Sequence, residues 1–195
     1  MASGAAREPS VERQLVERAQ RGDHDAFSTL AAVSTDRLYA VAILVLRDRS
    51  AAEDAVQEAL VRMWRDLPKL RDVDRFRPWL QRLLLNACAD TSRSRRRHGA
   101  EIQLLPTHEL AVGDETTQVA NREVLNRAFR HLSIDHRATL VLRHYVGLTV
   151  PDVAVAMAVP LGTAKSRLHH AERALRAALE ADERSDRSSN EWWSA

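Results

Sequence analysis

Three stretches of this chain carry side chains at spacings suited to work on a polyanion or its partners. In VPLGTAKSRLHHAERALRAAL, from Val159 to Leu179, the residues Ala164, Leu168, Ala171, Leu175 and Leu179 keep the spacing of one buried helical stripe. At 100° per residue, the exposed arc carries Ser166, His169, His170 and Arg173. Lys165 and Arg167 flank that arc, and Thr163 sits near the helix start. Short donors and cations with no carboxylate among them suit the grooves and phosphates of DNA. The one nearby acid, Glu172, lies closer to the buried side. A solvated face on an ordinary helical hairpin has the same pattern.

The second stretch begins with two rings, Phe76 and Trp79, and continues with Arg82, Asn86 and Arg93 on one helical side. Arg95, Arg96 and Arg97 follow at once. Rings that stack, an amide that reads base edges and guanidiniums for phosphates are what single-stranded or melted DNA requires. A helix dipole needs fewer cations than stand between Arg93 and Arg97, which favours nucleic acid here. The third stretch, AAEDAVQEALVRMWRDL, has an inner stripe of Val56, Leu60, Met63 and Leu67. Another of its faces carries Asp54, Gln57, Glu58 and Val61, with Trp64 beside it. That face reads either as a solvated acidic surface or as a dock for a basic partner.

These stretches need helices to hold them. The chain has 195 residues, is 45% hydrophobic and 29% charged, and has only 5% aromatics, a balance that favours helix over sheet. Its formal net charge of +2 means that any nucleic-acid surface arises from local segregation of charge. A single cysteine, Cys88, excludes an internal disulfide and a multi-cysteine zinc site, and reads as a core thiol. The N-terminus lacks the apolar run of a signal peptide. The longest apolar run, Leu38 to Leu46, falls far short of the roughly 20 residues of a membrane span. A cytoplasmic protein without membrane insertion is expected.

In chain order, residues 1–10 read as disordered. Helices follow from Val11 to near Gly22, from a cap at Asp23, and from about Thr35 to Leu46. Ser50 and Glu53 form a candidate capping box for the acidic helix, and Pro68 ends it. Pro78 fits the first turn of the next helix, whose apolar side is Leu80, Leu83, Leu84, Ala87 and Cys88. Periodicity fails over 99–118, a flexible linker containing Leu104, Leu105 and Leu110. Ser133 caps a helix with Leu140, Val141 and Tyr145 inward. Gly147 ends it, and Thr149 with Asp152 caps a short helix that Val159-Pro160 breaks. A short helix, a turn and a basic helix make a helix-turn-helix. The expected fold is all-α: two small helical domains, 10–98 and 119–182, on a flexible linker, with a disordered tail at 183–195 that holds Trp192 and Trp193.

Taken together, AAEDAVQEALVRMW (Ala51–Trp64), FRPWLQRLLLNACAD (Phe76–Asp90) and GTAKSRLHHAERAL (Gly162–Leu175) resemble bacterial RNA polymerase sigma factors of the extracytoplasmic-function group. The resemblance runs from about Val11 to Ala181. It implies that region two, 10–98, binds the beta-prime clamp helices of core RNA polymerase through Asp54, Gln57, Glu58, Val61 and Trp64. A beta-flap contact by the second unit is implied as well. The loop from about Leu67 to Pro78 resembles the specificity loop that captures a flipped base of the minus-ten element. By the same resemblance Arg82 and Asn86 read minus-ten bases, and Arg93, Arg95, Arg96 and Arg97 hold phosphates. Region four then places Lys165, Ser166 and Arg167 in the minus-thirty-five major groove. This chain has His170 where many relatives carry arginine, Ala158 for a usual glycine, Val153 for isoleucine and Ala164 for valine.

An anti-sigma factor is implied as a further partner. The chain has no P-loop pattern, no convergent catalytic set and no metal-like arrangement among its eight histidines. Neither enzyme activity nor a cofactor is expected. The alternative is a stand-alone helix-turn-helix regulator, which has no need of the acidic helix or of the helix from Asn86 to Arg97.

Overall fold

The structure, a computed structural model, describes residues 11–97 and 124–192, with side-chain surroundings to Asp182 except at Arg96. All described elements are helical. The N-terminal segment, the 99–118 linker, the boundary at 119 and Trp193 lie outside the described residues.

In the first unit, α1 (Val11–Gln20) ends at Gly22, whose φ of 91° suits only glycine readily. Asp23 caps α2 (His24–Leu46) by accepting from the Ala26 N–H at 2.9 Å. The two helices read separately in this region are one. Its apolar residues Leu30, Leu38, Val41, Ala42 and Val45 are buried as the centre of the bundle. This helix is long and apolar enough to cross a membrane by composition, yet α1 and the two long helices that follow it pack around it.

Arg47 closes α2 in a left-handed conformation, and Asp48 opens α3 (Arg49–Asp66). The cap is therefore Asp48, not Ser50: its carboxylate accepts from the Ala51 N–H at 2.9 Å, while Ser50 lies inside the first turn. The row Ala51, Ala52, Ala55 and Ala59 is buried and lets neighbouring helices approach closely. Pro68 falls in a 3-10 turn, Leu67–Lys69, that ends the helix. A second such turn, Val73–Arg75, leads into α4 (Phe76–Arg97), whose buried side is the expected Leu80, Leu83, Leu84, Ala87 and Cys88.

The second unit begins with α5 (residues 124–130), followed by α6 (Ile134–Leu140), which Ser133 caps as expected. A π-helical turn, Val141–Tyr145, extends α6. Its extra residue rotates the end of the helix, so Tyr145, expected inside, is exposed. Helix α7 (Val150–Ala156) starts with the expected Thr149–Asp152 box: the Asp152 N–H donates to Thr149 Oγ1 at 3.3 Å. Helix α8 runs from Leu161 to Trp192. The tail expected to be disordered from 183 is thus helical through Trp192.

The two units share a seam. Helix α4 lies against α7, and α2 against α6. Leu85 of α4 packs on a cluster of Leu142, Leu148, Val153 and Ala156, so part of each unit's apolar surface is covered by the other.

Candidate nucleic-acid interface

Helix α3 turns its alanine row inward, which leaves Asp54, Gln57, Glu58, Val61 and Trp64 together outside. Val61 is 59% exposed and Trp64 48%, so an apolar end adjoins the acidic ridge. Trp64 is held edge-on by Phe27 at 4.6 Å and lies 5.2 Å from the His24 ring. Sequence reasoning did not single out His24 and Phe27 for this surface. Their signal was the Asp23 cap, which puts both on the first turn of α2 beside the ridge. Glu58 accepts from Arg62 Nε at 2.7 Å, and Asp54 lies 3.7 Å from Arg95. In the exposed setting of the ridge such pairs contribute little, and a basic partner can displace them.

Between α3 and α4 lies a cleft of about 450 Å³ lined by Trp79, Arg82, Leu83 and Asn86, with Arg62, Arg65, Asp66 and Lys69 opposite. Arg82 and Asn86 are exposed on its wall, and Trp79 is half-buried. Arg62 pins the walls together: it bonds Glu58 on its own helix and Asp90 Oδ2 on α4 at 2.8 Å. Hydrogen bonds from Arg62 and then Arg93 hold the Asp90 carboxyl below its ordinary range. Arg65 and then Lys69 do the same for Asp66. A wider groove of about 940 Å³ continues the cleft past Arg93 and Arg97.

Two of the residues expected on DNA are placed otherwise. Phe76 is 2% exposed, inside the first unit's core, and has no free face for a base. The Val73–Arg75 turn directs it inward, and Trp79, 6.0 Å from it, is the ring left at the cleft. Arg95 is drawn back to the α2–α3 corner, where it pairs with the buried Asp48 carboxylate and donates to Ser50 Oγ at 2.9 Å. A capping carboxylate out of water needs that counter-charge. Arg93 and Arg97 stay exposed; the Arg96 side chain lies outside the described residues.

The loop from Leu67 to Pro78 is clamped by α1. Gln20 Nε2 donates to the Leu67 and Leu70 carbonyls at 3.1 and 2.6 Å. Arg13 reaches Asp74 at 2.8 Å, and Arg77 reaches Glu12 at 2.8 Å. These long-range contacts had no local signal in the sequence.

On α8, Lys165, Ser166, His169, His170 and Arg173 are exposed, and Thr163 and Arg167 half-buried. Ala164 and Ala171 are fully buried, and Leu168 and Leu175 pack against the core, so the arc read from the sequence faces outward. Arg167 lies 3.5 Å from Asp135, and the His169 and His170 rings are 5.8 Å apart. His144 approaches Glu172 at 3.2 Å, which engages the one acid near the arc.

Residues 33–98 match the Sigma-70 region 2 family and residues 122–175 match Sigma-70 region 4. The ECF RNA polymerase sigma factor SigL of Mycobacterium tuberculosis is 34% identical over 146 residues, 73% of this chain and 82% of that protein. This chain belongs to the extracytoplasmic-function sigma-factor family. The RNA polymerase sigma-H factor of Pseudomonas aeruginosa is 29% identical over 181 residues, 87% of this sigma factor and 94% of that one. Among solved structures, CnrH in complex with the cytosolic domain of CnrY aligns with a TM-score of 0.63 at 27% identity, over 88% of this chain and 98% of that one. The sigma factor RpoE from Bartonella quintana, in complex with the anti-sigma factor NepR, aligns at 0.66 and 26%, over 80% and 98%. Region 2 of this sigma factor thus runs from within α2 to the end of α4, and region 4 covers most of the second unit. Sigma factors are transcription initiation factors and not enzymes.

Proposed function

We propose that this sigma factor docks on core RNA polymerase through the α3 ridge and directs it to promoters with two DNA-reading faces. The observation that carries this reading is the segregation of charge on the outside of the molecule. Asp54, Gln57, Glu58, Val61 and Trp64 form one surface, Arg82, Asn86, Arg93 and Arg97 a second, and the α8 arc a third. The clamp helices of the beta-prime subunit are the partner of the first, and the beta flap contacts region 4. In the second, Trp79, Arg82 and Asn86 hold a minus-ten base out of its stack, which offsets an unstacking cost of a few kcal/mol. Arg93, Arg96 and Arg97 bind the adjoining phosphates. Lys165, Ser166 and Arg167 read the minus-thirty-five major groove, and Thr163, His169, His170 and Arg173 border it.

Promoter binding requires the seam to open. Two elements about 25 base pairs apart lie roughly 85 Å apart along the duplex, at about 3.4 Å per pair. The segment 98–123 reaches at most about 90 Å at ~3.5 Å per residue, enough to span that distance once the units separate. An anti-sigma factor, as in the RpoE–NepR complex, regulates the protein by covering these surfaces. The site of action is the cytoplasm, where polymerase and promoters are. The test is co-purification of the Asp54→Arg, Glu58→Arg double variant with core polymerase. Loss of binding with retained helix content is expected; undiminished binding overturns the ridge assignment.

A further inference from the structure

Two cations, Arg47 buried and Arg137 half-buried, meet in the seam with no ion pair to a carboxylate among the described residues. Arg47, the residue that closes α2, is 8% exposed and has a left-handed backbone with φ 58°. Its Nε is buried and has no hydrogen-bond partner. Arg137, on α6 of the other unit, also has a buried Nε with no partner. Helices α2 and α6 pack on each other, which brings the two together, and Arg130 at the end of α5 adds a third positive charge. Burial first, and then Arg130, lowers the pKa of Arg47. Burial and then Arg47 push that of Arg137 down to about 10.

Among the described residues, the acids that flank these arginines are engaged elsewhere. Asp48, next in sequence, takes Arg95 and the Ala51 N–H. Asp135 faces Arg167, and Asp182 grips Arg127 with both oxygens at 2.7 to 3.0 Å, acting on Arg130 only through space. Unpaired charge away from water is among the costliest arrangements in a protein, and left-handed backbone at a non-glycine residue adds strain. Both costs fall on Arg47, which points to an occupant. Guanidinium forks bind tetrahedral oxyanions in a bidentate manner, which chloride cannot satisfy. So little of Arg47 reaches the surface that neither a peptide nor a duplex has access to it, which leaves a small ion as the occupant.

We infer that Arg47, Arg130 and Arg137 form a binding site for a small multivalent oxyanion of the phosphate class, which bridges the two units and holds the seam closed. This site is separate from the polymerase and DNA faces, so its failure leaves those readings untouched.

The test titrates the full chain with inorganic phosphate and pyrophosphate at an ionic strength held constant with sodium chloride. Calorimetry should show one ion per chain with Kd below about 1 mM. At a hundredfold excess over Kd, Tm should rise by about 5 °C, and small-angle scattering should show a smaller radius of gyration. Arg47→Asn, which tolerates the left-handed backbone, and Arg137→Gln, on the other unit, should each weaken binding at least tenfold. Should Arg47→Asn fail to fold, as judged by far-UV circular dichroism, Arg137→Gln alone decides. The absence of a saturable heat overturns the site, as does an equal Tm rise in parent and variants, which is the general effect of excluded salts. Binding with no change in compactness overturns the bridge.

Discussion

Ala158 sits in the turn of the helix-turn-helix with φ 53°, where an L side chain is strained, and Gly147 sits before it with φ 80°. The two positions pose the same backbone problem with opposite residues. At Ala158 the left-handed conformation costs about 1–2 kcal/mol relative to glycine. Glycine in turn loses about 0.5–1 kcal/mol more backbone entropy on folding. Ala158→Gly should therefore stabilise by about 0.5–1 kcal/mol, or roughly 1–4 °C in Tm for a chain of this size. At Gly147 a new Cβ meets nothing within 4 Å, so Gly147→Ala should cost only the strain, about 1 kcal/mol net, with no clash added. Urea unfolding of parent and both variants checks the pair, read at the midpoint with unchanged slope. A lower midpoint for Ala158→Gly, or shifts of the same sign in the two variants, would refute the reasoning.

Asp48→Ala removes a helix cap, worth about 1 kcal/mol, and the counter-charge of Arg95, for a total of about 2–4 kcal/mol once the partial exposure of Arg95 is allowed for. Urea unfolding should show that loss, and a cost below about 0.5 kcal/mol would contradict the corner described. Burial pushes the Cys88 thiol up to about 12, so a thiol reagent at neutral pH should label native protein no faster than it opens. Asp90 has a folded pKa below its unfolded value, so its contribution is present above about pH 4 and disappears as pH falls through the lower folded value. Asp90→Asn should flatten the dependence of stability on pH below 4, and an unchanged acid profile counts against the Arg62 bridge. Lys165→Ala should weaken minus-thirty-five binding by about 1–3 kcal/mol if the contact is to a base, or lower the salt slope if it is to a phosphate. Filter binding on promoter fragments at several salt concentrations separates the two, and no effect on either removes Lys165 from the interface.

Features with local causes were legible in the sequence. The Thr149–Asp152 box, the Gly147 stop and the outward arc of α8 depend on neighbours within a turn or two, and the structure has each of them. The α3 ridge was equally plain, because six buried residues on α3 leave few ways to orient Asp54, Gln57 and Glu58. Features decided at long range were not legible. Ser50 and Asp48 are both good caps, and the structure sets Asp48 in place with Arg95, 47 residues on. Phe76 and Trp79 both look like stacking rings until the loop held by Gln20 turns one of them inward. Tyr145 keeps a helical phase that a single π-turn shifts. The seam joins α4 to α7 and α2 to α6 across segments with no shared periodicity, and nothing local in the sequence signals it.

Run-off transcription with purified full-length chain, core RNA polymerase and a library of genomic promoters measures the proposed role most directly. Initiation at a discrete set of start sites sharing minus-ten and minus-thirty-five elements is the expected result, with those starts lost in Asn86→Ala. Core enzyme that starts nowhere new in the presence of the chain would contradict it.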